Sequence, residues 1–341
     1  MKNSIILIVA CLLFSLQLHA QQQKKNAKEL FNQAVDQIQA EQYPQALEVL
    51  DQAINIYPDF HQALLERGKL YFRFDSTEQA MANFDMALQH GNESGEAYFY
   101  KGYTDYRRQQ PDSAIKKLTI AIQSGYKHPE AYYIRGLANF DQGDYNNAIV
   151  NFNKAIDKKY DFAYAYNDRG SAKMKTADYQ GAINDFKKAI SYNPEKPFIF
   201  NNLGNAYSQN ADYDHAIEAF GRALQLDPGY YKAYVNRGLV HTTLENYGKA
   251  EEDLKKALKI QPGQAETYNN LGLVYLKTGA FEDALERFNA ALEKDEALGE
   301  AYLNRGLTWE NLGEFDKACA DWKMAGELGL EKAREYLEDC N

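Results

Sequence analysis

"AYVNRGL" occupies residues 233–239, "AYLNRGL" residues 301–307 and "AYYIRGL" residues 131–137. All three heptads start at positions separated by multiples of 34. Stepping back by 34 from Gly306 of the second heptad reaches Gly272, Gly238, Gly204, Gly170, Gly136, Gly102 and Gly68, and ends at Ala34. Two alanine columns keep the same step, one from Ala46 to Ala318 and one from Ala53 to Ala325. Nine repeats therefore tile residues 27–332 without insertion or deletion. A period of this length marks an array in which each unit buries its apolar face against its neighbours.

Each column has a packing reason. An aromatic residue stands four before the glycine in seven repeats: Tyr98, Tyr132, Tyr166, Phe200, Tyr234, Tyr268 and Tyr302. Positions i and i+4 share one helical face, so the glycine admits a second helix and the aromatic fills the space beside it. The second helix repeats an apolar stripe, as in Ala182, Phe186 and Ala189. Turn signals such as "GDY" (143–145), "NADY" (210–213) and "GAF" (279–281) separate the two helices. Pro58, Pro194, Pro228 and Pro262 end four of the second helices.

"YNNLGLVY" (268–275) followed by "ALERF" (284–288) resembles the tetratricopeptide repeat (TPR) family. The resemblance implies an all-α, right-handed superhelical solenoid of nine tandem 34-residue helix-turn-helix repeats, with the first helix of each pair on the concave side. After the repeats, "EKAREYLEDC" (331–340) reads as a short capping helix with Ala333, Tyr336 and Leu337 on one face. The expected organisation is a leader over 1–20, a linker over 21–26, repeats over 27–332 and a cap over 333–341.

One column departs from the family pattern. Arginine replaces the leucine before the glycine at 67, 135, 169, 237 and 305, and Lys101 does so once. The arginine repeats carry Asn83, Asn151, Asp185, Asp253 or Asp321 before the aromatic of the second helix, whereas Leu203 and Leu271 accompany Ala219 and Arg287. This correlation within one chain reads as a partly buried pair clipping helix to helix.

The first twenty residues have another character. Lys2 precedes a twelve-residue apolar core, "IILIVACLLFSL" (5–16), and "QLHA" ends at Ala20. That is the outline of a secretory leader, and it is shorter than a bilayer span of about 20 residues. "IVAC" (8–11) leaves lipid attachment at Cys11 as an alternative to a free periplasmic or secreted protein. Cys319 and Cys340 would remain in an oxidising setting. A hairpin folded near residue 329 places them side by side, so a disulfide is expected; the alternative is two unrelated thiols.

The functional reading is an interaction scaffold. The formal charge is −10 with no basic run, which argues against nucleic acid. No catalytic domain, metal-like histidine spacing, nucleotide loop or nucleophile elbow is legible, so neither enzymatic activity nor a cofactor or metal is expected. Two before the glycine stand Asn202, Asn236, Asn270 and Asn304. The resemblance implies that such an asparagine ladder binds the main chain of an extended peptide; the alternative is a residue linking neighbouring helices. In repeats two to four the same face carries Leu65, Phe72, Phe99, Tyr100, Tyr103, Tyr106, Tyr133, Ile134, Leu137 and Phe140, an aromatic block expected to meet a partner. Inter-repeat packing is its alternative. The family's carboxylate clamp is not carried over: "NNLGN" (201–205) and Asn236 match its amides, but Asn201, Glu266 and Asn270 replace its basic residues. The expected function is an exported scaffold that holds a protein or peptide partner during assembly of an envelope complex. A structural spacer or self-associating subunit is the alternative.

Overall fold

The computed structural model describes residues 2–91 and 94–340, apart from the side chains of 2–13 and 339. Two compact units divide at Tyr160 and Asp161. In the first, α1 (Lys2–Gln39) pairs with α2 (Tyr43–Ile56), and α3 (His61–Arg73) with α4 (Thr77–His90). There α5 (Gly95–Arg107) also pairs with α6 (Pro111–Gln123), and α7 (Pro129–Asp141) with α8 (Tyr145–Lys158). In the second unit, α9 (Ala163–Lys175) pairs with α10 (Tyr179–Tyr192), α11 (Pro197–Gln209) with α12 (Tyr213–Leu226), and α13 (Tyr231–Thr243) with α14 (Tyr247–Ile260). Two further pairs follow, α15 (Ala265–Thr278) with α16 (Phe281–Lys294) and α17 (Gly299–Asn311) with α18 (Phe315–Glu327). A short α19 (Ala333–Leu337) and a 3-10 turn (Glu338–Cys340) close the chain against α18. Among the described residues the protein is thus all-α, with nine helix pairs and no strand.

The glycine and aromatic columns meet inside each pair. A methyl group placed on Gly272 would lie 2.6 Å from Phe288 Cε1, and one on Gly204 2.6 Å from Phe220 Cε1. The same contact joins Gly306 to Trp322. Phe84, Phe152, Phe186, Phe220 and Phe288 are accordingly among the most buried side chains. Each first helix ends on a residue in the left-handed region. This too recurs from repeat to repeat, from Glu41 (φ 57°) through Asp75, Gln109, Gly143, Ala177, Ala211 and Glu245 to Gly279 and Gly313. Aspartates cap several second helices, with Asp178 Oδ1 accepting from the Gly181 amide at 3.0 Å.

The arginine column bonds as its partners imply. Arg169, Arg237 and Arg305 donate through Nε and Nη2 to Asp185, Asp253 and Asp321 at 2.5–2.8 Å. Arg67 and Arg135 reach Asn83 and Asn151 through Nε at 2.7 and 2.8 Å. Each of these arginines except Arg67 also lies over the tyrosine of its own helix, as Arg169 does over Tyr166 at 5.2 Å from the ring centre. Several reach backwards as well. Arg67 Nη1 donates to Asp51 at 2.6 Å, Arg135 Nη1 to Thr119 at 3.1 Å and Arg305 Nη1 to Asn289 at 2.6 Å. Lys101 pairs with Asp85 in the same way. In Arg67, Arg135 and Arg305 the guanidinium therefore ties three helices: its own, the next one, and the second helix of the preceding repeat.

Packing begins at Ala27, which is fully buried and belongs to the first core cluster. Helix α1 runs through the segments 2–20 and 21–26, and residues 14–26 are exposed throughout. The side chain of Cys11 lies outside the described residues. At the other end a disulfide joins Cys319 and Cys340, whose Cα atoms are 5.7 Å apart. Ala333, Leu330, Tyr336 and Leu337 pack there on the cluster around Trp322.

Candidate functional site

In the first unit the aromatic block is half-buried rather than exposed. Phe99 is 1% exposed and stacks on Tyr126 with ring centres 4.8 Å apart, and Ile134 is also core. Neither can meet a partner, because both are buried in one core cluster with Leu118 and Ala121 of α6. Tyr100 stacks on Phe84 at 5.6 Å, Phe72 meets Tyr103 at 4.9 Å and Tyr133 meets Phe152 at 5.9 Å. Tyr100, Tyr103 and Tyr133 keep one edge accessible. Burial raises the phenol pKa of Tyr100 and Tyr103; at Tyr100 the Lys69 charge opposes the shift while Glu96, Glu66 and Glu130 add to it, and at Tyr103 Glu130 adds to it. Beside them Lys69 Nζ sits 2.7 Å from Glu66 and 3.1 Å from Glu96, so the only cation over Tyr100 among the described residues is already neutralised. Most of this block is inter-repeat packing.

The asparagines of the second unit do two jobs. Asn202 Nδ2 donates to Asn167 Oδ1 at 3.0 Å, Asn236 to Asn201 at 2.9 Å and Asn304 to Asn269 at 3.0 Å. Each bond joins consecutive first helices. Asn270 finds Val235 at the equivalent place; here α15 is bonded to the second helix α14 instead, Tyr275 Oη donating to Glu251 at 3.0 Å. Each bonded ladder amide gives one N–H to its neighbour, and its Oδ1 accepts no hydrogen bond among the described residues. Asn205, one residue after Gly204, forms no side-chain hydrogen bond among the described residues. The sequence does not single it out, and its only signal there is its place in "NNLGN".

These amides line a continuous depression on the first helices. One cavity of about 440 Å³ is bounded by Ser171, Asn202, Asn205, Ser208, Gln209 and Asn236. A second of about 460 Å³ shares Asn202, Asn205 and Asn236 and continues to Tyr231, Gln264 and Glu266. Amides and hydroxyls share the lining with apolar Met174, Phe220, Val235 and Leu239 and with charged Lys175, Lys232 and Glu266, a mixture suited to holding a polypeptide main chain and its side chains. No group of three or more metal-ligating side chains occurs among the described residues. No helix there is long and apolar enough to cross a membrane.

Models of the tetratricopeptide repeat match residues 31–96, 101–164, 197–230 and 230–297, and one described as TPR repeat matches 178–210. Among curated proteins none matches the chain. The fold is similar to the crystal structure of a tetratricopeptide repeat protein from Parabacteroides merdae, at 21% identity and a TM-score of 0.61, covering 72% of this chain and 98% of that one. It is also similar to PilF of Pseudomonas aeruginosa, at 18% identity and 0.54, covering 62% and 97%. The C-terminal part of a TPR repeat-containing protein from Cytophaga hutchinsonii is 20% identical with a TM-score of 0.53, covering 80% and 98%. At these identities the likeness concerns the fold. Period, packing and sequence models agree, and the chain belongs to the tetratricopeptide repeat family.

Proposed function

We propose that this protein is a non-catalytic interaction scaffold, and that it holds an extended segment of a partner protein along the first helices α9, α11, α13 and α15. The observation that carries this is the amide-lined depression around Asn202, Asn205 and Asn236. An extended peptide exposes N–H and C=O groups on both edges, and an amide can answer either. The reading includes export to the periplasm or beyond, and a role in assembling an envelope complex. Two features support export: Phe14, Leu16 and Leu18 stand exposed ahead of the packed body, and the cap carries a disulfide. Thiol titration of the purified exported protein tests that part, and two free thiols without reductant would contradict it.

The binding test starts with capture from envelope extract and mass spectrometry, followed by affinity measurements on variants. Asn205→Ala and Gln264→Ala, both on the depression, should weaken the captured partner by about 0.5–1.5 kcal/mol each while leaving helicity intact. Asn236→Ala is less suitable, because it also removes the bond to Asn201. Unchanged affinity in the double variant would remove the depression from the site. Because Asn202, Asn236 and Asn304 already bond their neighbours, a structural spacer is the second reading, and it requires that no heterologous protein be captured.

A further inference from the structure

Two repeats carry leucine in the arginine column, Leu203 and Leu271, and they solve the vacancy differently. In α15–α16 the place is taken by long side chains, with Leu271 buried and Arg287 Nε buried beside it. Leu271 stands there in the arginine column, Arg287 at the place of its forward partner and Lys255 at the place of its backward one. Lys255 Nζ donates to Glu251 at 2.6 Å and lies 5.8 Å from the centre of the Tyr275 ring. In α11–α12 the same framework recurs, with Lys187 lying 5.4 Å from the Tyr207 ring beside Leu203. Here, however, Ile183 occupies the place of Glu251, and Ala219 the place of Arg287. One exchange removes the lysine's carboxylate, and the other removes the side chain that would fill the space. A cavity of about 760 Å³ lies there, with Phe200, Leu203 and Ala219 supplying apolar walls and Lys187 and Arg222 supplying charge. Glu218 also lines it, so two cations stand against one carboxylate. Among the described residues Lys187 forms no ion pair, and Arg222 donates only to Gln225. None of the lining residues belongs to the amide depression.

We propose that this cavity is a second docking site that receives an acidic side chain of a partner polypeptide, its carboxylate on Lys187 and its methylene stem against Leu203 and Ala219. The repeat at α15–α16 supplies the pattern: there the chain's own Glu251 holds the equivalent lysine. The charge match is local, since the protein as a whole carries −10 and would repel an acidic segment elsewhere. A carboxylate reaching Lys187 regains the ion pair that Ile183 withholds, and its stem covers apolar surface that Ala219 leaves open.

The test uses the full chain with methyl-labelled leucine and alanine, observed by NMR, and acetyl-(Glu)4-amide as the probe. Saturable shifts at Leu203 and Ala219 are expected, with acetyl-(Gln)4-amide giving none. Lys187→Gln changes an exposed side chain and should weaken the glutamate peptide at least tenfold. Ala219→Arg copies the α15–α16 repeat and should abolish its binding. Asn205→Ala should leave it unchanged, which separates this site from the amide depression. Equal shifts with the glutamine peptide, full affinity in Lys187→Gln, or no shift at Leu203 and Ala219 would each overturn the proposal. So would tighter binding of an acetyl-(Gln)4 peptide with a free C-terminus, which would assign the cavity to a terminal carboxylate.

Discussion

Arg237 is bonded forward to Asp253 but has no acceptor behind it, because Gly221 stands at the acceptor's place. A Cβ built on Gly221 would meet one atom within 4 Å, Arg237 Nη1 at 3.8 Å, so there is room for a side chain aimed at the guanidinium. Asn289 fills this role for Arg305, accepting from Nη1 at 2.6 Å. Gly221→Asn should therefore complete the three-helix bond. Replacing a mid-helix glycine by asparagine contributes about 0.3 kcal/mol from helix propensity. The new bond to a charged, partly exposed group adds about 1 kcal/mol, below the usual range for charged partners because solvent screens it. Together that is about 1.3 kcal/mol, or roughly ninefold slower amide exchange through local opening. Hydrogen exchange of α12–α14 in the full chain measures it. Gly221→Ala cannot serve alone as the control, because alanine contributes about 1 kcal/mol by propensity. The decisive comparison repeats Gly221→Asn in the Arg237→Leu/Asp253→Ala background, which copies the Leu203 and Ala219 pair. The gain there should shrink to the propensity share of about 0.3 kcal/mol. An equal gain in both backgrounds would refute the bond.

Asp253→Ala alone should cost about 2 kcal/mol through the lost bidentate pair, and adding Arg237→Leu should restore part of it. A double variant melting below the single one would end the pairing argument. Ala211→Gly should stabilise the α11–α12 turn by about 1 kcal/mol, because Ala211 stands at φ 58° and glycine adopts that region freely. A lower melting temperature would contradict it. Burial holds the His241 imidazole below the usual histidine range, with Asp253 opposing that shift and Arg237 and Lys249 adding to it. The folded state therefore binds this proton less readily than the unfolded chain, so its contribution is present above the unfolded value of about 6.5 and is lost as pH falls below it. His241→Gln should flatten the stability profile between about pH 7 and 5; an unchanged slope would assign the dependence elsewhere.

The parts of the fold legible in the sequence are those fixed by steric necessity. Gly272 against Phe288 permits almost no other residue, so the column repeats visibly. The Arg–Asp pair was legible because both members change together. The backward acceptors were not, since Asp51, Thr119 and Asn289 differ in type and form no column. The asparagine bonds were hidden for a related reason. Asn236 is in one column and its acceptor Asn201 in another, on a helix two elements earlier. The left-handed turn residues were visible only where glycine marks them, at Gly143, Gly279 and Gly313. Phe99 misled because helical periodicity names the face of a side chain and not the depth of what covers it. Asn205 was passed over because nothing in its own repeat distinguishes an amide that is bonded from one that is free.

The asparagine bonds also determine which repeats can be neighbours. Among the described residues Asn270 forms no such bond, because Val235, not asparagine, stands at the acceptor's place on the preceding first helix. Excising 231–264 takes out one full period and brings Asn201 to that place. Excising 265–298 also takes out one full period. It puts Val235 where Asn304 now meets Asn269, and Lys255 where Arg305 now meets Asn289. The two shortened chains would have the same number of repeats and the same glycine and alanine columns. Only the first would carry an amide bond across the splice, in place of the Tyr275–Glu251 bond it deletes, because an identical metre does not make the verses interchangeable: each repeat is written for the one before it.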